Sequence, residues 1–254
     1  MKILCLSDLH MCDDFKDEKK EWIESLVREL EFDVVVITGD IFESSYKGNP
    51  YRSLAKMFKN TVVICTLGNH EFVKLTVDDV LKRYADKYQP EKYDVHYLDV
   101  VGYFDINYYG FVCRFLGNVL WYDGTMSTVF GQDVDDFAGG VWLDKLILGF
   151  DYKLECEKCV KQIKDNIGGS GIDKHILCSH TVPHYRLNGH LITGNNLFDA
   201  YSGVERLLDE LPQIDYAICG HTHSRVVGVR IGETYGINCG NDSYPPFQYC
   251  LIEV

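Results

Sequence analysis

The sequence predicts an α/β protein whose first half is a parallel sheet with crossover helices and whose second half turns to antiparallel strands. Two observations carry this reading. Apolar runs at Ile3 to Leu6, Val34 to Ile37 and Val62 to Cys65 alternate with helical periodicity, and the polar residues that end them, Asp8, Asp40 and Asn69, are 32 and 29 residues apart. Each step is about the length of one strand-helix-strand unit. Beyond Pro90 short apolar segments alternate with turn residues such as Gly102 and Gly110, as in hairpins.

The elements follow in order. After the first strand, Trp22, Ile23, Leu26, Val27 and Leu30 fall on one face at helical spacing. A short helix with Leu54, Ala55, Met57 and Phe58 separates the second and third strands. Thr76 to Tyr88 reads as a helix opened by a Thr76 and Asp79 capping arrangement and closed before Pro90. Val95 to Trp121 is expected to form antiparallel hairpins, and the Gly- and Asp-rich interval 121–140, without a clear period, is a candidate lid. Phe150 to Ile167 is a helix ended by Gly168-Gly169-Ser170-Gly171. A strand at Ile176 to Cys178, a helix at Val204 to Leu211, a strand at Tyr216 to Cys219 and antiparallel strands from Val226 to Val254 complete the chain.

With 254 residues, 46% apolar and 25% charged, and no Pro- or Ser-rich linker or internal repeat, residues 1–254 are expected to form one domain. The start is too short for a signal-peptide core and no later run approaches a membrane span, so the chain reads as soluble and unexported. Cys5, Cys65, Cys178 and Cys219 lie within apolar strands, where reduced thiols behave as small hydrophobes, and this points to the cytoplasm. Cys156 and Cys159 have a metal-like spacing but continue as Val160, Ile163 and Ile167, the buried stripe of one helix. A net charge of −13 with no basic stripe argues against extended nucleic acid as a partner.

The chemistry concentrates at strand ends. Gly68-Asn69-His70-Glu71 follows one buried strand and delivers an amide, an imidazole and a carboxylate together. Asp8 and His10 follow the first strand, Asp40 the second, His180 the strand at 176–178, and His221 with His223 the strand at 216–219. Asp8, His10, Asp40, Asn69, His180, His221 and His223 are seven oxygen and nitrogen donors, too many for one ion. Divided over two, with Asp40 bridging, they suit divalent cations roughly 3.5–4 Å apart, the arrangement that clamps the oxygens of a phosphoryl displacement. Carboxylate and imidazole without thiolate favour manganese, with iron, zinc or nickel as alternatives. His70, beside a ligand, is free to move a proton. A single Asp or His at a strand end is more often a turn former; it is their concert that points to a metal site.

The ordered set Asp8-x-His10, Gly39-Asp40, Gly68-Asn69-His70-Glu71, Ser179-His180 and Gly220-His221-x-His223 resembles the calcineurin-like metallophosphoesterase superfamily. That resemblance implies a four-layer β-sandwich flanked by helices. It puts Asp8, His10, Asp40 and His223 on one metal and Asp40, Asn69, His180 and His221 on the other, with His70 as proton donor or phosphate contact. The segment Phe115 to Trp121 also resembles a strand of bacterial members. Protein phosphatases of the superfamily carry Gly-Asp-x-x-Asp-Arg, where this chain has Gly39-Asp40-Ile41-Phe42-Glu43-Ser44. Glu43 can still orient His70, but Ser44 removes the phosphate-binding Arg. The expectation is therefore hydrolysis of a phosphomonoester or phosphodiester of a small molecule or nucleotide by a metal-bridging hydroxide. A nuclease and a non-catalytic scaffold of the same fold are the alternatives. Lys74, Arg186 and Arg225 follow motif residues and are either phosphate contacts or solvated charges; Tyr122, Asp123 and Asp136 of the candidate lid are equally open. His96, His175, His184 and His190 read as structural or surface histidines.

Overall fold

Runs of Val, Ile, Leu and Cys with no polar alternation form strands covered on both faces. β1 (Lys2–Leu6), β2 (Val34–Thr38) and β3 (Val62–Thr66) are such runs, and together with the short β4 (Val95–Tyr97) they pair in parallel. The remaining strands are β5 (Tyr103–Tyr108), β6 (Phe111–Asn118), β7 (Lys174–Ser179), β8 (Tyr216–Cys219), β9 (Arg225–Ile231), β10 (Thr234–Cys239) and β11 (Cys250–Glu253). The first sheet has the order β11-β1-β2-β3-β4 and the second β5-β6-β7-β8-β10-β9. The computed structural model describes residues 1–12, 17–126, 143–189, 199–242 and 245–254. Most of the candidate lid, with Asp136, and His190 lie outside the described residues.

Because successive strand residues face opposite ways, each sheet contributes to two cores. Leu4, Leu6, Val35, Ile37, Val63 and Cys65 face α1 (Asp17–Glu29), α2 (Pro50–Met57) and α3 (Val77–Ala85), meeting Ile23, Leu26, Tyr51, Leu54, Val80 and Tyr84. Their alternates Ile3, Cys5, Val34, Val36 and Ile64 pack between the sheets against Cys113, Phe115, Ile176, Cys178, Ile218 and Ile237. The outer face of the second sheet, with Leu116, Leu177 and Ala217, is covered by Ile163 and by Leu207, Leu208 and Leu211. The result is four layers, helices outside and two sheets inside, as expected. No helix among the described residues is long and apolar enough to cross a membrane.

Two expectations need correction. Only part of Val95 to Trp121 is antiparallel: β4 pairs in parallel with β3, α4 (Leu98–Val101) follows, and the hairpin is confined to β5 and β6. Its two-residue turn, Tyr109 and Gly110, has positive φ at both positions, the conformation that matches strand twist. The helix expected over Val204 to Leu211 is reduced to one 3₁₀ turn, Leu207–Glu210. Upstream, the backbone is engaged with the segment after β7: Val204 N–H donates to Val182, and Tyr185 N–H to Glu205. These bridges remove the first helical turn. The tail is antiparallel as expected: β9 and β10 form a hairpin in the second sheet and β11 pairs with β1 in the first, while β10 also runs parallel to β8.

Helix boundaries elsewhere follow local chemistry. Thr76 caps α3 by accepting from Asp79 N–H at 3.1 Å, and its hydroxyl donates to the Asp79 carboxylate, so the reciprocal arm runs between side chains. Asp151 accepts from Leu154 N–H at the start of α5 (Tyr152–Asn166). All ten cysteines are free thiols; Cys156 and Cys159 lie on α5, in the packing against the first-sheet core.

Candidate metal centre

The carboxyl ends of β1, β2 and β3 open into loops that continue side by side. His10 N–H donates to Asp40 O at 2.8 Å, Met11 N–H to Ile41 O at 2.8 Å, and Glu43 N–H to Met11 O at 2.9 Å. This small extension carries Asp8, His10, Asp40 and Glu43, and the turn Asn69–Phe72 sits beside it. Across the interface the second sheet supplies His180 after β7 and His221 and His223 after β8. The cluster therefore closes between the two sheets.

The backbone there is unusual. Asp8, His10, Asp40, His221 and His223 all adopt left-handed φ, between 48° and 69°. A non-glycine residue in that region costs of order 1–3 kcal/mol and persists where surrounding structure over-determines it, as at functional sites. At Gly39, with φ of 80°, a Cβ would collide with the His180 ring. The glycine before Asp40 thus serves both the turn and the close approach of the second sheet.

Within the cluster each imidazole has a defined orientation. His10 Nδ1 lies 3.0 Å from Glu43 Oε1, which leaves Nε2 facing His223 Nε2 at 3.4 Å and Asp40 Oδ2 at 3.7 Å. His180 Nδ1 donates to Thr38 O at 2.9 Å, and its Nε2 faces Asn69 Oδ1 at 2.9 Å, His221 Nδ1 at 3.2 Å and Asp40 Oδ1 at 3.4 Å. His221 Nε2 donates to Tyr201 O at 3.0 Å. His223 Nε2 is 3.8 Å from Asp8 Oδ1. So the two oxygens of Asp40 face two different groups of donors, one around His10 and His223 and one around Asn69, His180 and His221. All seven residues singled out from the sequence meet here.

The donor set can be tested for its fit to cations. Nitrogen lone pairs facing each other at 3.2–3.4 Å repel unless something positive lies between them. With no metal, a proton takes that place at one imidazole. Burial opposes charge on His180, yet Asp40 and Asp8 push it up to about 10, while burial and the neighbouring His180 push His221 down to about 3. Burial would raise the Asp40 acid, but His180 and His70 hold it well below the usual carboxylate range. Anchoring of the outer nitrogen of a ligating imidazole by a carbonyl or carboxylate is the usual support of a metal site. The residues fit divalent cations.

His10, Glu43 and His70 form a third group of suitable composition. Here, however, both imidazoles approach Glu43 through Nδ1, at 3.0 and 3.1 Å, which are hydrogen-bond lengths. Glu43 is half-buried; burial raises it, and the hydrogen bonds from His10 and His70 win, bringing it down to about 2. Burial likewise opposes charge on His70, but Asp40 and Glu43 raise it to about 9. Its Nε2 lies 3.8 Å from Asp40 Oδ2. Glu43 thus meets His70, as expected, and also His10, which the sequence did not suggest.

Several participants lie outside the seven donors. Glu71, the carboxylate read as part of the strand-end group, instead accepts from Ile41, Phe42 and Gly68 N–H at 2.8–2.9 Å and ties the β2 and β3 loops together. Lys19, 6% exposed, donates to the carbonyls of Asp8 and Leu9 at 3.3 and 3.0 Å and holds the β1 loop. Asp144 bonds to Asn69 and Tyr122. Lys19 was legible only as a charge on the apolar side of a helix, and Asp144 not at all. Arg186 donates to Arg230 O, and His184 is buried and accepts from Arg186 N–H.

Comparison with known proteins agrees with this architecture. A phosphopantetheinyl hydrolase from Mycobacterium tuberculosis superposes with a TM-score of 0.69 at 12% identity, covering 94% of this chain and 88% of that one. A dimetal phosphatase from Danio rerio gives 0.52 at 14% identity over 99% and 91%. GAP50, described as the anchor in the inner membrane complex of Plasmodium, gives 0.53 at 13% over 99% and 80%. At such identities the likeness concerns the fold alone. No curated protein matches the chain. Residues 1–225, however, match the family model for calcineurin-like phosphoesterases, and the chain belongs to that family.

Proposed function

We propose that this protein hydrolyses a phosphomonoester or phosphodiester of a small molecule or nucleotide with two divalent cations, manganese first among them. The observation that carries the reading is the convergence of seven donors in which His10, His180 and His221 each have their other ring nitrogen anchored. Asp8, His10, Asp40 and His223 would hold one cation, and Asp40, Asn69, His180 and His221 the other. When bound, the cations supply Lewis acidity and a nucleophile at neutral pH.

The remaining work falls to the chain. His70, kept protonated by Asp40 and Glu43, gives its proton to the leaving oxygen, whose departure as an alkoxide is otherwise slow. Glu43 aims that ring through Nδ1 and leaves Nε2 for the substrate side. The net charge of −13 fits a small phosphorylated substrate better than a polynucleotide. Because the fold also occurs in a protein described as an anchor, the donors and His70, not the fold, carry the enzymatic reading.

Turnover of para-nitrophenyl phosphate, bis-para-nitrophenyl phosphate, cyclic nucleotides and short single-stranded DNA, measured with Mn²⁺, tests it. Hydrolysis of one of the first three is expected. Cleavage of DNA alone would make the protein a nuclease, and no turnover with manganese, iron, zinc or nickel would leave a binding protein of the same fold.

A further inference from the structure

Asn69 poses a chemical problem that no motif solves. A carboxamide has one end that accepts and one that donates, and the two have nearly the same shape, so a rotation by half a turn would present an N–H₂ where a donor oxygen is needed. In this protein the choice is made by a buried carboxylate. Asn69 Nδ2 donates to Asp144 Oδ1 at 2.8 Å, which leaves Oδ1 of the amide facing His180 Nε2 at 2.9 Å. An ionised carboxylate only accepts, so the flipped amide would set oxygen against oxygen in a site where Asp144 is 1% exposed.

Asp144 is itself held. Its second oxygen accepts from the Tyr122 hydroxyl at 2.9 Å. The 3₁₀ turn that carries it, Leu143–Leu146, is tied to the segment after Asn69–Phe72 by Lys74 N–H to Leu146 O at 3.0 Å and Leu148 N–H to Leu75 O at 2.9 Å. The turn that carries the carboxylate is thus tied to the segment that follows the amide by two backbone bonds. Its charge also polarises the amide, drawing Nδ2–H outward and adding electron density to Oδ1, which makes a weak neutral ligand a stronger one.

We propose that Asp144 is a positioning residue for the metal centre: it selects the rotamer of Asn69 that presents oxygen and strengthens that oxygen as a donor. The inference rests on the reading of Asn69 as a ligand, and the test separates the two. Mn²⁺ is titrated into chelator-treated protein, with bound and free ion followed by electron paramagnetic resonance. Wild type is expected to bind two ions; if it binds none, it is the metal reading that fails. Asp144→Asn should weaken one of the two sites about 10- to 100-fold and leave the other near wild type.

The decisive variant exchanges the pair. In Asn69→Asp with Asp144→Asn, the amide donates from position 144 and the ligand is a carboxylate, so the hydrogen bond is rebuilt and the weakened site should recover. A merely structural role for Asp144 does not predict that recovery. Tyr122→Phe, which loses a bond to the same carboxylate without touching Asn69, should weaken that site clearly less than Asp144→Asn does. Wild-type binding by Asp144→Asn, no recovery in a folded exchange variant, or a loss in Tyr122→Phe equal to that of Asp144→Asn would each overturn the proposal.

Discussion

His70 and Glu43 set the sharpest expectations for single side chains. If His70 supplies the proton to the leaving oxygen, His70→Asn should lower turnover of alkyl phosphates by about 10²–10⁴-fold and that of para-nitrophenyl phosphate far less, with metal content unchanged. Equal losses on both, with metals bound, would make His70 a phosphate-positioning group. The sign of the pH effect follows from the raised pKa. The acid form is present below about 9 and lost above it, so activity on alkyl phosphates should fall on the alkaline side. Cations on Asp40 would cancel part of its pull and move that limb below about 9; the limb should vanish in His70→Asn. Glu43→Gln should reach further than a partner of His70 alone, because Glu43 also holds His10. Both turnover and affinity for one cation should fall, which metal analysis and kinetics on the same sample would separate. At this scale the seven donors were legible because each stands at the end of an apolar run. Asp144 was not, since a lone Asp beyond an aperiodic interval carries no local signal, and its partner lies 75 positions away in the chain.

Among elements, the loops after β1 and β2 form the working part of the first sheet, and Gly39 is their tightest point. Gly39→Ala would place a Cβ against the His180 ring at a φ that disfavours one, so it should cost more than about 1 kcal/mol and weaken metal binding as well. Denaturant unfolding and a Mn²⁺ titration would show both. Thr76→Ala is the contrasting case: loss of the α3 cap should cost about 1 kcal/mol with kinetics intact, and a change in turnover would mean that α3 is coupled to the site. The parallel β1-β2-β3 core was legible because strand-helix alternation is a local pattern. β4 was misread as part of a hairpin because three buried residues, Val95 to Tyr97, are too few to show a period. The 204–211 segment was misread because its competing bonds come from the β7 loop, distant in sequence.

For the molecule as a whole, neither sheet holds a complete set of donors. Cations bound between the sheets would act on the folded state alone, so chelation should lower the thermal midpoint. At a metal concentration 100 times the dissociation constant, one site contributes about 2.7 kcal/mol. A midpoint indifferent to chelator and Mn²⁺ would mean that the cluster holds no ion. The four layers were legible only through the resemblance; the alternation of apolar residues predicts buried faces but not which faces meet. The division of donors also bears on how the protein comes into being. Those of the first sheet are all synthesised by Asn69, while His180, His221 and His223 follow more than a hundred residues later. At roughly 5–20 residues per second, a ribosome would take on the order of 5–20 s to cross that interval. The nascent chain spends this time with aspartates and a single imidazole ligand exposed, a set too sparse to discriminate among metals. If these donors hold cations, the choice of metal would belong to the finished fold, and the ion available at release, not during elongation, would decide what the protein carries.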